Sequence, residues 1–339
     1  MHVPRAYNGQ IMTMCPTVSV IIPAYTMERW QLLQQAVASA RNQTSPPAEV
    51  IVSIDNNEKL LKISQSTWEA TGMGIDVPIR VISSEFLHEQ KDLTFHVRAH
   101  GAERRFGAGQ ARNVAAQQAK GDILAFLDDD AVAETTWLEE LLKPYSDPSV
   151  LAAGGAPYPY YETERPLWFP RQFDWVFGCA YEGLPTTVSP YPRLIGANMS
   201  VRADALNQVG GFHSIDFDDM DMCHRVAALG GPASVVFVPS AIVRHYVPAR
   251  RVSWHYFWRR CFYVNRKKVE THRVMGAASS FGPEIAFVAR TMTIGVMREL
   301  KSAFRGDRYA VLRAGAILVG VTSAAVGNAF GRAGRTRHQ

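Results

Sequence analysis

Two acidic clusters and one histidine are the residues best suited to chemistry. Asp128, Asp129 and Asp130 follow directly on the apolar run Asp122–Leu127. Adjacent like charges at the mouth of a buried strand are costly unless a cation or hydrogen bonds compensate them. A divalent ion does so economically: oxygen ligands favour Mg²⁺ or Mn²⁺, and Mg²⁺ typically takes one or two carboxylates together with substrate phosphates. That describes a nucleoside diphosphate site, with an acidic turn ahead of a helix over Trp137–Leu142 as the alternative of equal weight. The second cluster, Asp216–Asp221 (DFDDMD), stands before a helix expected over Met222–Leu229. Asp219 or its neighbour Asp218 has the type of a general base acting on an acceptor hydroxyl, and helix N-terminal capping is the competing role. His245 follows a strand expected over Ala233–Val243 and offers an imidazole that would complete a metal shell. A single histidine is more often a structural hydrogen-bonder.

These residues need a scaffold, and the apolar patterning supplies one. Thr17–Ala24 (TVSVIIPA) is too short for a helix and unbroken enough for a strand buried on both faces. Leu33, Ala36, Val37 and Ala40 recur at helical spacing within Trp30–Asn42, which Ser45-Pro46-Pro47 ends. Glu49–Ile54 reads as a second strand stopping at the turn residues Asp55-Asn56-Asn57. Ile79–Ser83 repeats the strand signal, Gln110–Ala119 the helix signal and Asp122–Leu127 the strand signal. The body is therefore α/β with a parallel sheet core. Ligands of such sheets bind outside the carboxyl ends of the strands. Here those ends are Pro23-Ala24-Tyr25, Asp55 and Asp128-Asp129-Asp130, converging on one edge.

Composition agrees with a folded catalyst or binder: 339 residues, 47% hydrophobic and 20% charged, exclude disorder, a collagen-like fibre and a coiled coil. The four cysteines, Cys15, Cys179, Cys223 and Cys261, contain no C-x-x-C pair, so a zinc framework or disulfide ladder is not expected and a reducing compartment is. The first fifteen residues do not read as a secretory signal. The net charge of +5 hides an asymmetry. Residues 241–339 carry 18 of the 36 Lys and Arg but only 4 of the 31 Asp and Glu, so a basic tail of net +14 follows an acidic body of net −9. An anionic surface is the expected partner of that tail, a solvated helix pair the blander alternative.

The order of motifs resembles family 2 glycosyltransferases of the GT-A fold. The resemblance rests on V-S-V-I-I-P-A-Y (18–25), Ile54-Asp55, G-x-x-x-A-R-N (107–113), K-G-D-I-L-A-F-L-D-D-D (120–130), G-A-N-M-S-V-R (196–202), V-G-G-F (209–212), D-D-M-D-M-C-H-R (218–225) and V-P-S-A-I-V-R-H (238–245). It covers roughly residues 17–270. It implies an α/β, GT-A (nucleotide-diphospho-sugar transferase) fold with a mostly parallel central sheet, to which the residues after about 250 add, by their own pattern, a C-terminal helical membrane-associating region. By position it assigns Pro23, Ala24, Tyr25 and Glu28 to the first nucleotide loop, Asp55 to the base, and Gly109 and Arg112 to the donor-facing loop and helix start. Asp128 and Asp130 match the ends of the D-x-D signature, in which the last Asp binds the metal and the first lies near ribose or metal. Asp219 matches the catalytic base and His245 a position that reaches metal or diphosphate. Two departures stand out: Asp218 replaces the usual Glu, and Asp55-Asn56-Asn57 replaces Asp-Gly-Ser, which leaves uracil, guanine and thymine nucleotides all open.

The implied enzyme is an inverting, Mg²⁺- or Mn²⁺-dependent glycosyltransferase. It would move a sugar from a UDP-, GDP- or dTDP-sugar to a glycan or lipid-linked acceptor in cell-envelope polysaccharide synthesis, with no nucleic-acid partner. The expected division is an N-terminal extension (1–16), a catalytic domain (17–250), a basic and aromatic helical region (251–331) and a basic tail (332–339). Pro157–Arg193, with ten aromatic residues and seven prolines, is poor helix or strand material. Its rings suit sugar stacking, a membrane interface or packing as a cover on the body. Trp254–Lys268 interleaves aromatic and basic residues as a helix at a headgroup boundary does, and Pro283–Phe304 places apolar residues near helical spacing. Ala314–Gly331 is an uncharged stretch of 18 residues, at the lower end for spanning. Its small residues Ala316, Gly320 and Ala324 equally suit helix packing. Peripheral or monotopic attachment at the cytoplasmic side of the cell membrane is preferred, with one transmembrane segment as the alternative. The rival readings are a non-catalytic glycan-binding scaffold and a sugar-phosphate nucleotidyltransferase. A dehydrogenase is weaker, because Gly107-Ala108-Gly109 follows Arg104-Arg105-Phe106 and not a buried strand.

Overall fold

The computed structural model describes residues 16–68, 77–84, 107–213, 217–275 and 288–333. Cys15, Arg104–Phe106 and Asp216, singled out above, lie outside them. Strands β1 (Val18–Ala24) and β2 (Glu49–Ile54) are buried along their whole length, as unbroken β-branched runs require in a sheet covered on both faces. They pair in parallel, β3 (Ile79–Ser83) continues beyond β2, and β4 (Ile123–Leu127) pairs on the other side of β1. Helix α1 (Trp30–Arg41) makes the first crossover and buries Leu33, Ala36, Val37 and Ala40. Helix α2 (Glu58–Trp68) leads towards β3, and α3 (Ala108–Gln118) precedes β4. Chain order reverses between β1 and β4, which makes their carboxyl ends the expected binding edge.

Past β4 the sheet becomes mixed. Strands β5 (Ala131–Ala133), β6 (Ala152–Tyr161), β7 (Ser189–Pro190), β8 (Asn198–Arg202) and β9 (Val235–Val247) complete nine strands in the order β3-β2-β1-β4-β8-β6-β9-β5, with β7 also on β9. Interleaved with them are α4 (Trp137–Leu142), α5 (Ala203–Gln208) and α6 (Asp218–Gly230). The short β5 runs antiparallel to β9 with Ala131 opposite His245. That pairing brings the end of the Asp triplet beside the histidine, 115 residues away in sequence. Gly155 marks the bulge of β6, where a Cβ would lie 2.0 Å from the Ala241 carbonyl oxygen. Only glycine lets these backbones approach so closely.

Three boundaries differ from the sequence expectation. Helix α6 begins at Asp218, not Met222: acidic side chains in a first turn favour the helix through its dipole, so the charges that suggested a loop belong inside the helix. Strand β9 runs to Val247, so His245 lies within it, not after it. Pro157–Arg193 is more regular than its composition suggests. Its first residues extend β6 to Tyr161, and Arg171–Phe177 forms a 3₁₀ helix. Phe169, Phe173 and Phe177 are almost fully buried, so these rings form a packed cover.

That cover is built against the C-terminal helices α7 (Trp254–Met275), α8 (Thr293–Phe304, entered through a π-helical turn, Val288–Met292) and α9 (Ala310–Ala333). Phe169, Phe173 and Phe177 join Val247, Phe257, Cys261, Met292, Ala316 and Ile317 in one core, and Trp168 stacks on Trp254 with ring centroids 4.1 Å apart. Helix α9 lies against the 3₁₀ helix and α7 through glycines. A Cβ at Gly320 would strike the Phe173 ring at 2.4 Å, and one at Gly327 would strike the Phe262 carbonyl oxygen at 2.1 Å. Helix α9 is long and apolar enough to cross a membrane, and 33% of its most apolar window is buried in the fold.

Candidate active site

A cleft of about 330 Å³ opens at the carboxyl ends of β1, β2 and β4. Pro23, Ala24, Tyr25, Asp55, Arg112 and Asp128 line one part of it, and Asp218, Asp219, Gly196 and His245 another. Asp128, Asp218, Asp219 and the histidine thus meet in one place, whereas Asp130 lies outside the lining, in contact with His245. Glu28 stands exposed in the turn before α1, outside the lining. Gly109 lies one layer behind, where a Cβ would come within 3.0 Å of Asp218 Oδ2. Its role is to let α3 approach the second cluster.

Arg112 joins the halves. Buried on α3, it donates to Asp128 Oδ1 at 2.8 Å and to Asp218 Oδ2 at 2.6 Å. Burial opposes its charge, but Asp218 and Asp128 outweigh burial and raise its pKa. The next residue, Asn113, fixes the V-G-G-F turn by exchanging two 2.8 Å hydrogen bonds with the Phe212 backbone.

Asp128, Asp130 and His245 form the candidate metal centre, with one ligand atom from each lying within 4.8 Å of the others. His245 Nε2 is 3.1 Å from Asp130 Oδ1, and its Nδ1 is 3.5 Å from Cys179 Sγ. Burial would lower the His245 pKa, but Asp130 overrides it and raises it well above the ordinary histidine value. Two carboxylates and an imidazole are a chemically suitable donor set for a divalent cation. Arg29, which nothing in its sequence context marked, donates to Asp129 Oδ1 at 2.7 Å and pairs with Asp130 Oδ2 at 3.0 Å. Asp129 is pushed up to about 7 by burial and the Asp130 charge, against Arg29, and its Oδ2 is buried without a partner.

Asp219 is set apart from Asp218 by its partners. Its Oδ2 accepts from the Gly196 backbone N–H at 3.0 Å and its Oδ1 from the Met220 N–H at 2.7 Å. Asp218 is engaged with Arg112. Burial and the Asp218 charge push Asp219 up to about 6, against Arg112. A carboxylate poised there suits general-base work near neutral pH. Phe217, just before α6, adopts φ +60, a left-handed conformation uncommon for a bulky residue.

The family model for glycosyl transferase family 2 matches residues 19–210, and that for glycosyl transferase family group 2 matches residues 123–319. The chain is 26% identical over 322 residues to a glucosyl-dolichyl phosphate glucuronosyltransferase of Haloferax volcanii, covering 91% of this chain and 94% of that protein. It is also 26% identical over 231 residues to a pre-mycofactocin glycosyltransferase of Mycobacterium tuberculosis, covering 63% of this chain and 46% of that one. Among solved structures, a mannosyltransferase from Pyrobaculum calidifontis in complex with GDP-Man and Mn²⁺ superposes with a TM-score of 0.60 at 18% identity, covering 94% of this chain and 88% of that chain. The shared architecture is the GT-A fold.

Proposed function

Because the chain belongs to glycosyl transferase family 2, we propose that it transfers a glycosyl group from a nucleoside diphosphate-sugar to a lipid-phosphate-linked acceptor at a membrane surface, with inversion of the anomeric carbon. One observation carries this reading: Asp128, His245 and Asp219 line one cleft, Asp130 is bonded to His245 outside that lining, and Arg112 bonds Asp128 and Asp218, the neighbour of Asp219. The lipid-linked acceptor is supported by the Haloferax relative, whose name specifies a dolichyl phosphate substrate, and by the apolar, basic C-terminal helices.

The donor lies along the β1, β2 and β4 ends. Pro23, Ala24 and Tyr25 flank the base, and Asp55, oriented by the Ser84 hydroxyl at 2.8 Å, accepts from its edge. Asp128, Asp130 and His245 would hold a divalent cation, which supplies charge neutralisation for the departing diphosphate. A nitrogen in the donor set favours Mn²⁺ over Mg²⁺, the more strictly oxygen-seeking ion. Asp219 accepts the proton of the acceptor hydroxyl as that oxygen forms the glycosidic bond. Its two backbone hydrogen bonds hold the carboxylate oriented meanwhile. Arg112, bonded to Asp218 at 2.6 Å, holds that carboxylate beside Asp219 and sets a positive charge next to the pair. Residues 17–250 form the catalytic unit and residues 251–331 the membrane-associating region, facing the cytoplasmic leaflet.

The test is product analysis. The full chain is incubated with UDP-, GDP- and dTDP-sugars, Mn²⁺ and polyprenyl phosphate-linked acceptors, and the new linkage is assigned by NMR. A product of inverted anomeric configuration supports the proposal. Retention, or transfer to free oligosaccharides offered in parallel but not to the lipid-linked acceptors, overturns it.

A further inference from the structure

Of the two nitrogens of His245, one faces the acidic cluster and the other faces sulfur. Nδ1 lies 3.5 Å from Cys179 Sγ, and Sγ lies 3.9 Å from the Phe177 carbonyl oxygen. Both side chains are buried: Cys179 is 0% and His245 6% exposed. A metal-ligating histidine normally anchors its second nitrogen on a carboxylate, carbonyl or water, and this fixes both tautomer and ring plane. Here the available group is a thiol.

The local backbone is shaped to deliver it. Gly178 follows the 3₁₀ helix Arg171–Phe177 and adopts φ +74, in the left-handed region. A Cβ at this position would lie 3.3 Å from His245 Cε1. The glycine therefore lets the turn pass close over the ring and brings the next residue, Cys179, to Nδ1. Phe173, Val176 and Phe177 lock the helix before the turn into the core shared with α7 and α9. Val247, two residues beyond His245 on β9, joins the same core. The sulfur and the imidazole are thus held by one packed unit.

We propose that Cys179 is a positioning residue for the metal centre: its sulfur accepts the Nδ1–H of His245, directing the Nε2 lone pair at the cation shared with Asp128 and Asp130. The inference rests on the reading of His245 as a metal ligand. For Nε2 to coordinate, the ring proton must sit on Nδ1 and needs an acceptor there. The Cys179 Sγ–H donates towards the Phe177 carbonyl oxygen at 3.9 Å, which leaves the sulfur lone pairs to accept from Nδ1. The turn at residues 178–179 also couples the metal centre to the packing of the C-terminal helices.

The experiment is Mn²⁺ titration of the full chain in the presence of GDP, UDP or dTDP. Free Mn²⁺ is followed by its electron paramagnetic resonance signal, and thermal unfolding is recorded for every variant. Cys179→Val puts methyl groups in place of the thiol and removes the acceptor, and its thermal unfolding shows whether the extra methyl is accommodated. It is expected to weaken Mn²⁺ binding about 10- to 100-fold, the usual effect of losing such an outer partner. Cys179→Ser, which restores an acceptor, is expected to recover most of the affinity, and His245→Ala to lose at least as much as Cys179→Val. The proposal is overturned if Cys179→Val binds Mn²⁺ like the parent, or if Cys179→Ser, folded, is as weak as the valine variant. Undiminished Mn²⁺ binding by His245→Ala overturns it too, while leaving a metal site on the carboxylates. No Mn²⁺ binding by the parent chain with any nucleotide overturns the functional reading itself.

Discussion

Arg112 is the side chain on which both acidic clusters depend. Its guanidinium bonds Asp128 and Asp218 from a buried position. Removing one partner of a buried ionic group typically costs about 3–5 kcal/mol, because the remaining charges are left uncompensated. Arg112→Met is therefore expected to lower the unfolding free energy by about that amount, read from denaturant unfolding. Asp219→Asn should behave differently. An amide keeps the shape and cannot take a proton, so turnover should fall at least 100-fold, the low end of what general-base catalysis contributes, while nucleotide binding persists. The groups facing Asp219 are Asp218 and Arg112, and its pKa is pushed up to about 6 by burial and the Asp218 charge. Its protonation below that value removes the base, so kcat/KM should fall as pH drops through about 6. Asp218→Asn, which removes the like charge, should move this acid limb to lower pH.

Elements set which of these residues were legible in the sequence. The bounds of β2, β3 and α4 follow from apolar runs and turn residues alone, because nothing tertiary competes with the pattern there. The start of α6 and the end of β9 do not. The Asp218, Asp219 and Asp221 charges suit a helix start as well as a loop, and alternating polar residues carry β9 past His245. The convergence of Asp128, Asp130, Asp219 and His245 was readable from strand ends and motif order. Arg29, Gly178 and Cys179 were not, because their partners are set by the β5–β9 pairing and the Phe169–Phe177 cover. That cover argues for its own test. Phe257 is fully buried among Phe169, Phe173 and Trp168. Phe257→Ala should cost about 3–5 kcal/mol, with proteolysis of the C-terminal helices appearing before loss of the sheet.

Across the whole molecule, an acidic catalytic body carries a basic, apolar flank. Helix α7 exposes Arg259, Arg260, Arg266 and Lys267, and α8 and α9 expose Met297, Phe304 and Phe330. Apolar side chains beside cations match an anionic lipid surface, each Lys or Arg near it contributing about 1 kcal/mol. The full chain should co-float with vesicles containing phosphatidylglycerol, bind phosphatidylcholine vesicles weakly, and lose affinity as salt rises. Replacing Arg259, Arg260, Arg266 and Lys267 together by Gln should abolish the preference for anionic lipid.

If the Asp128, Asp130 and His245 cluster holds the cation and diphosphate of a nucleotide-sugar, metal and nucleotide bind together. Calorimetric titration of the parent chain and Asp130→Ala with UDP, GDP and dTDP, each with and without Mn²⁺, tests it most directly. One nucleotide should bind in a Mn²⁺-dependent manner, and Asp130→Ala should abolish this binding while remaining folded. Binding that is indifferent to Mn²⁺, or undiminished in Asp130→Ala, would contradict it.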